Sequence, residues 1–102
     1  MSIKKQFLKS KPVCKVTFAL DADQVNNAET VAVLGEFNDW NPEAHPMKKF
    51  KNGNFRTTID LESDKSYQFR YLVDGKMWVN DTEADQFAPA GIAQEENAVI
   101  EL

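Results

Sequence analysis

Tyr67-Gln68-Phe69-Arg70-Tyr71-Leu72-Val73-Asp74-Gly75-Lys76-Met77-Trp78 is the stretch whose reading decides the fold. Tyr67, Phe69, Tyr71 and Val73 alternate with Gln68, Arg70 and Leu72, the period-two pattern of a strand with one buried face. Asp74-Gly75 then turns the chain back into residues 77–80. Two registers are open. A two-residue turn pairs Tyr71 with Trp78 and puts that tryptophan inward. A three-residue turn, Asp74-Gly75-Lys76, pairs Val73 with Met77 and Leu72 with Trp78. A slip of one residue exchanges the two faces, so the apolar pattern decides. It favours the longer turn, which buries Tyr71, Val73, Met77 and Val79 together and keeps Asn80 out. Arg70, Leu72 and Trp78 are then left on one outer face.

The same pattern extends in both directions. Val13 to Leu20 places Cys14, Val16, Phe18 and Leu20 on one face, with Lys15 and Thr17 on the other. Residues 21–29 are polar, with room for one short helical turn. Thr30-Val31-Ala32-Val33-Leu34 is apolar on both faces and reads as a central strand. Residues 35–46 form a loop, broken by Asn-Pro, Asp39 and two prolines. Asn52-Gly53 is a strong hairpin signal between residues 47–51 and 55–61, with Phe55, Thr57, Ile59 and Leu61 inward. Val99, Ile100 and Leu102 make a last strand. About seven short strands with evenly spaced turns predict an all-β fold, an antiparallel β-sandwich of immunoglobulin-like size. Residues 1–11 are expected as a loose basic arm, and residues 12–102 as the single domain.

Composition narrows the function. At 102 residues, with 42% hydrophobic and 27% charged, the chain supports one core. A net charge of −4 argues against a nucleic-acid backbone or an anionic membrane surface as partner. Cys14 is the only cysteine and has no internal disulfide partner. There is no apolar run long enough to span a bilayer. The basic N-terminus has no long apolar core of a signal peptide. A cytoplasmic location is therefore expected.

Both tryptophans, Trp40 and Trp78, lie beside turns among polar residues. A flat apolar ring at a polar surface suits the C–H face of a pyranose, while a cation or amide takes the hydroxyl rim. Covering about 80 Å² of one indole contributes roughly 2 kcal/mol. Two rings, less the cost of association, give an affinity of roughly 10 μM to 1 mM.

Gly35-Glu36-Phe37-Asn38-Asp39-Trp40 and Val73-Asp74-Gly75-Lys76-Met77-Trp78, with Asn97-Ala98-Val99-Ile100 closing the domain, carry a family resemblance. From about Val13 to Leu102 the chain resembles the isoamylase N-terminal-type carbohydrate-binding module. That family includes the glycogen-binding domain of AMP-activated kinase β subunits and the early-set domains of glycogen branching and debranching enzymes. The resemblance implies an immunoglobulin-like, early-set β-sandwich that binds α-1,4-glucans such as glycogen, starch and maltooligosaccharides, without catalysis. By motif position its platform falls on Trp40, Arg70, Trp78 and Asn97. It also implies a separate glucan-active enzyme or regulatory subunit as a partner. Three features depart from the kinase version. Arg70 stands in place of lysine, and the hairpin is one residue longer before Trp78. The leucine and threonine that wrap the sugar fall at Ala93 and Glu95.

Each candidate also has a plain structural reading. Trp40 and Trp78 can cap the edge of the core. Arg70 can be a solvated strand-face charge, and Asn97 a bond to the backbone at a strand start. Gly35, Phe37, Asn38 and Gly75 read as turn and core residues, and Asp74 as a turn residue. His45 is the only histidine and has no partner for a metal or a triad. Asp81, Glu83 and Asp85 start like a calcium loop, but Gln86 replaces the needed glycine and Ile92 holds the twelfth position. Glu36 and Asp39 lack the deep cleft of a glycosidase pair. Cys14 reads as inert. No enzyme, cofactor or metal is expected. The competing reading is an immunoglobulin-like structural or regulatory interaction domain without sugar binding, consistent with Ala93 and Glu95.

Overall fold

Period-two alternation does fix the layers. The computed structural model describes residues 2–81, 83–89 and 96–102. Among these lie nine strands: β1 (Ser2–Phe7), β2 (Val13–Leu20), β3 (Val31–Gly35), β4 (Lys48–Lys49), β5 (Phe55–Glu62), β6 (Ser66–Val73), β7 (Met77–Val79), β8 (Gln86–Pro89) and β9 (Glu96–Glu101). One sheet has the order β1-β2-β5-β4 and the other β3-β6-β9-β8, with β7 also paired to β6. Every strand pairing is antiparallel. Two more strands are present than the sequence predicts, β1 and β8, while the predicted β4 and β7 are only two and three residues long.

The core lies between the sheets. Cys14, Val16, Phe18 and Leu20 of β2 and Phe55, Ile59 and Leu61 of β5 face Phe69, Tyr71 and Val73 of β6. Phe18 is the hinge of this packing, edge-on to Phe69 at 5.1 Å and to Tyr71 at 6.3 Å between ring centroids. Residues 21–29 carry the expected short turn, a 3₁₀ segment at Ala22–Val25 that buries Val25. No helix among the described residues is long and apolar enough to cross a membrane.

Three local expectations need correction. The N-terminal stretch is not a loose arm over Ser2–Phe7, because it pairs with β2 from Ser2–Ala19 to Phe7–Cys14. Ile3 packs on the core, and Lys5 bonds Asp85 at 2.6 Å. Burial pushes the Asp85 carboxyl up, but the Glu101 N–H and the Lys5 ammonium outweigh it, leaving its pKa below the ordinary value. Of the lysines that suggest a solvated arm, Lys4 is exposed and Lys5 ion-paired on opposite faces of an edge strand.

β3 is the outermost strand of its sheet by order, not a central one. The loop that returns along it partners its free edge. Val33 donates to His45 O at 3.1 Å, Met47 to Val31 O at 2.8 Å, and Ala32 bridges to Pro46. The Asn52-Gly53 hairpin forms between β4 and β5 as expected, its connection closed by Phe50 N–H to Asn54 O and Gly53 N–H to Phe50 O. Finally, Met77 is 56% exposed rather than buried with Val79. It is the first residue of a short strand at the sheet margin, so inward parity does not cover it.

Candidate functional site

The β6–β7 register is the three-residue one: Val73 opposite Met77, Leu72 opposite Trp78, Tyr71 opposite Val79. Asp74 and Gly75 make the turn in the left-handed region, at φ 52° and 67°, where Asp and Gly are tolerated. Asp74 does more than turn. Its Oδ1 accepts from the Glu29 and Thr30 N–H groups at 2.9 and 3.0 Å, and its own N–H donates to Thr30 O at 2.8 Å. The hairpin is thereby tied to the start of β3.

This register delivers Trp78 to the outer face of the five-stranded sheet, where it is 47% exposed. Across β6 on the same face stand half-buried Leu72 and Arg70, the latter opposite Leu34 of β3. The β6–β9 ladder ends at the Phe69–Ala98 pair, so Asn97, one residue before Ala98, shares the outward parity of Arg70. Asn80 closes the gap between β7 and β9, donating to Glu96 O at 2.8 Å and accepting from Ala98 N–H at 3.2 Å. Trp78, Arg70 and Asn97 thus share one face.

Asn97 is only 8% exposed. Among the described residues its side chain bonds Gln68, Nδ2 donating to Oε1 at 2.9 Å. Gln68 is a face residue the sequence reading missed. Its signal was parity, because it alternates with Arg70 and Leu72. Its backbone N–H is held in turn by Glu36 Oε1 at 2.7 Å. That contact gives Glu36 a structural role in place of an acid-pair one.

Trp40 arrives by another route. Gly35 ends β3 because nothing larger fits. A Cβ there would lie 2.5 Å from Gln68 O and 2.8 Å from both Phe37 and Phe69. Phe37 then packs against Phe18, Tyr67 and His45, with ring centroids about 6 Å apart. Asn38 locks the loop. Its Oδ1 accepts from Gly35 N–H at 3.0 Å, and its Nδ2 donates to Val33 O at 3.0 Å and lies 2.8 Å from His45 Nδ1. With Nδ2 held as a donor, His45 Nδ1 accepts and its ring proton sits on Nε2. Asp39 and Trp40 follow in the left-handed region, at φ 54° and 58°. The Trp40 N–H donates to Gly35 O at 3.0 Å, and the side chain is half-buried.

The structure therefore places the Trp40 backbone beside the Gly35–Phe69 pair, on the opposite side of β6 from β7. Strand spacing puts it about 15 Å from the Trp78 backbone. Ala93 and Glu95 lie outside the described residues.

Carboxylates near this face have structural partners. Asp81 is fully buried and accepts from Tyr71 Oη at 2.7 Å and Glu83 N–H at 2.8 Å. Burial first, and then the Asp81 charge and hydrogen bond, hold the Tyr71 phenol well above its ordinary pKa. Among the described residues no three His, Cys, Asp or Glu side chains are grouped to hold a metal ion.

Comparison with known proteins decides the family. Residues 22–95 match the model of the glycogen recognition site of AMP-activated protein kinase. The chain belongs to this glycogen-recognition family. The match takes in three of the four residues singled out above, Trp40, Arg70 and Trp78; Asn97 lies just beyond it. This glycogen-recognition domain is also 38% identical over 60 residues to the 1,4-alpha-glucan branching enzyme GlgB of Photobacterium profundum. That alignment covers 58% of the chain but only 8% of the enzyme.

Proposed function

We propose that the outer face of the five-stranded sheet binds an α-1,4-glucan without acting on it. Trp78 stacks on the apolar face of a glucose ring. Arg70 donates to its hydroxyls, and the Asn97–Gln68 amide pair supplies further donors and acceptors. Trp40 makes a second stack from the Gly35 loop, along the chain from the first. The observation that carries this reading is the half-exposed indole of Trp78, on the same sheet face as Arg70 and Asn97, in a chain of a glycogen-recognition family. A ring nearly half open to solvent, in a strand of only three residues, is poorly explained as packing alone.

The partners in this reading are the glucan polymer and a glucan-active enzyme or regulatory subunit that the module brings to it. The likeness of part of GlgB supports the second. A cytoplasmic location belongs to the same reading, supported by the single buried thiol of Cys14.

Titration with maltoheptaose and β-cyclodextrin, followed by tryptophan fluorescence, tests the proposal directly because the chain has two tryptophans. Saturation in the range of about 10 μM to 1 mM is expected for the α-glucans, with no response to glucose or cellohexaose. A flat signal up to about 10 mM, beyond the weak end of that range, would sink it.

A further inference from the structure

The protein carries a net charge of −4, yet four of its twelve cations lie on one hairpin: Lys48, Lys49, Lys51 and Arg56. Lys48 and Arg56 are opposite each other in the β4–β5 register, and both are exposed. Like charges so placed repel. Both are drawn to the Phe50 ring, with Lys48 Nζ at 5.4 Å and the Arg56 guanidinium at 4.9 Å from its centroid. Lys49 Nζ lies 5.8 Å from the Phe55 centroid. The ion pairs seen among the described residues use Lys5, Lys15 and Lys65 instead.

Beside this hairpin is a hollow of about 290 Å³, lined by Leu20, Phe50, Asn52, Asn54 and Arg56, with Asp21 its single carboxylate. Asn52 Oδ1 accepts from Asn54 N–H and Asn54 Oδ1 from Ala22 N–H. Each amide also carries an NH2 group that can donate to an incoming acidic group.

We propose that this hairpin docks a short, acidic, extended segment of a partner protein. A negative segment relieves the repulsion between Lys48 and Arg56, and the hollow beside Phe50 accepts an apolar side chain from it. The cations are strung along a ribbon rather than converging on one point, which suits a peptide better than a compact oxyanion. β4 is the outermost strand of its sheet, so an extended segment can approach along its edge. Asp60 and Glu62 share the outward parity of Arg56 on β5, and both are exposed. They limit the attractive stretch to roughly 13 Å, four residues of strand, and disfavour a long polyanion such as nucleic acid.

The hairpin belongs to the four-stranded sheet, whereas Trp78 and Arg70 lie on the outer face of the five-stranded one. Partner and glucan would therefore occupy opposite faces of the sandwich at once. The proposal stands independently of glucan binding.

Fluorescence anisotropy with a fluorescein-labelled octaglutamate peptide at low salt tests it. Saturable binding is expected, weakened about tenfold in the Lys48→Glu/Lys51→Glu variant. Lys48→Gln/Lys51→Gln should weaken it less. Lys4→Glu/Lys11→Glu, the same change in net charge elsewhere, should alter it less than about twofold. Excess maltoheptaose should not displace the peptide. The idea is overturned by no binding at low salt, by equal losses in the two Glu variants, or by displacement by maltoheptaose. It is equally overturned if millimolar inorganic phosphate competes fully or a single-stranded oligonucleotide binds as tightly.

Discussion

Removing the Trp78 ring is the sharpest test of the sheet face. A tryptophan offers roughly 250 Å² at most. With 47% exposed, about 115 Å² is open to a ligand. A glucose ring covering two-thirds of this removes about 80 Å² from water, or roughly 2 kcal/mol. Trp78→Ala should therefore weaken maltoheptaose binding about thirtyfold. The variant also loses the ring's packing against Leu72, its cross-strand partner, so unfolding must be followed in parallel. A stability loss of about 1–2 kcal/mol would lower the melting temperature by roughly 5–15 °C and leave the domain folded at room temperature. Isothermal titration calorimetry is the right assay, because the substitution deletes one of two fluorophores. Trp78→Tyr should fall between wild type and Ala, since the loss follows ring area. If Trp78→Ala is folded by NMR and binds maltoheptaose within about twofold of wild type, stacking on Trp78 is wrong.

Four further outcomes follow from the geometry. Trp40→Gly removes a ring but also relieves a bulky residue at φ 58°. Stability by urea unfolding should change by less than about 1 kcal/mol, while maltoheptaose affinity falls about tenfold; a large stability loss with unchanged affinity would make Trp40 a core cap. Asn38→Ala deletes the clamp on Gly35, Val33 and His45 and should cost about 2–3 kcal/mol by the same assay. Gly35→Ala should be as damaging although φ there is extended, because its Cβ meets Gln68 O and Phe69; a neutral result would refute the close approach. The Tyr71 phenol titrates above its ordinary value of 10.0 in the fold. The unfolded chain therefore releases its proton first, and stability, fully present below about pH 10, should be lost as pH rises beyond it. Tyr71→Phe should flatten that alkaline limb while lowering stability at neutral pH, read by unfolding across a pH series.

The parts of the fold legible in sequence were those where burial on one face imposes alternation. β2, β5 and β6 read directly because their inward residues are Phe, Val, Ile, Leu and Tyr with polar residues between. The β6–β7 register was legible for the same reason, since only one register keeps Val79 in and Asn80 out. β1 was hidden because its lysines mimic a solvated arm. What orders the strand is its ladder to β2 and the packing of Ile3 on the core, with Lys5 reaching Asp85 80 residues away. β3 misled in the opposite sense. An edge strand partnered along its free edge by its own returning loop carries the same apolar pattern as a central strand, because burial, rather than sheet position, selects the residues.

The site shows the same division. Parity alone placed Arg70 and Trp78 on one face, and strand pairing then added Asn97. Gln68 shared that parity, but its role depends on Asn97 meeting it across β9, a tertiary fact. Asn38 looked like one more turn residue, yet its three partners, Val33, Gly35 and His45, make it the reason the loop holds one shape. The motif around Trp40 therefore has a division of labour. Gly35 permits close approach to β6, Phe37 anchors the loop in the core, and Asn38 clamps it. Trp40 is left at left-handed backbone that no bulky residue prefers. Three residues specify the loop, and the fourth holds a half-buried ring on left-handed backbone. That combination supports the proposal that glucan binding extends from the sheet face to this loop.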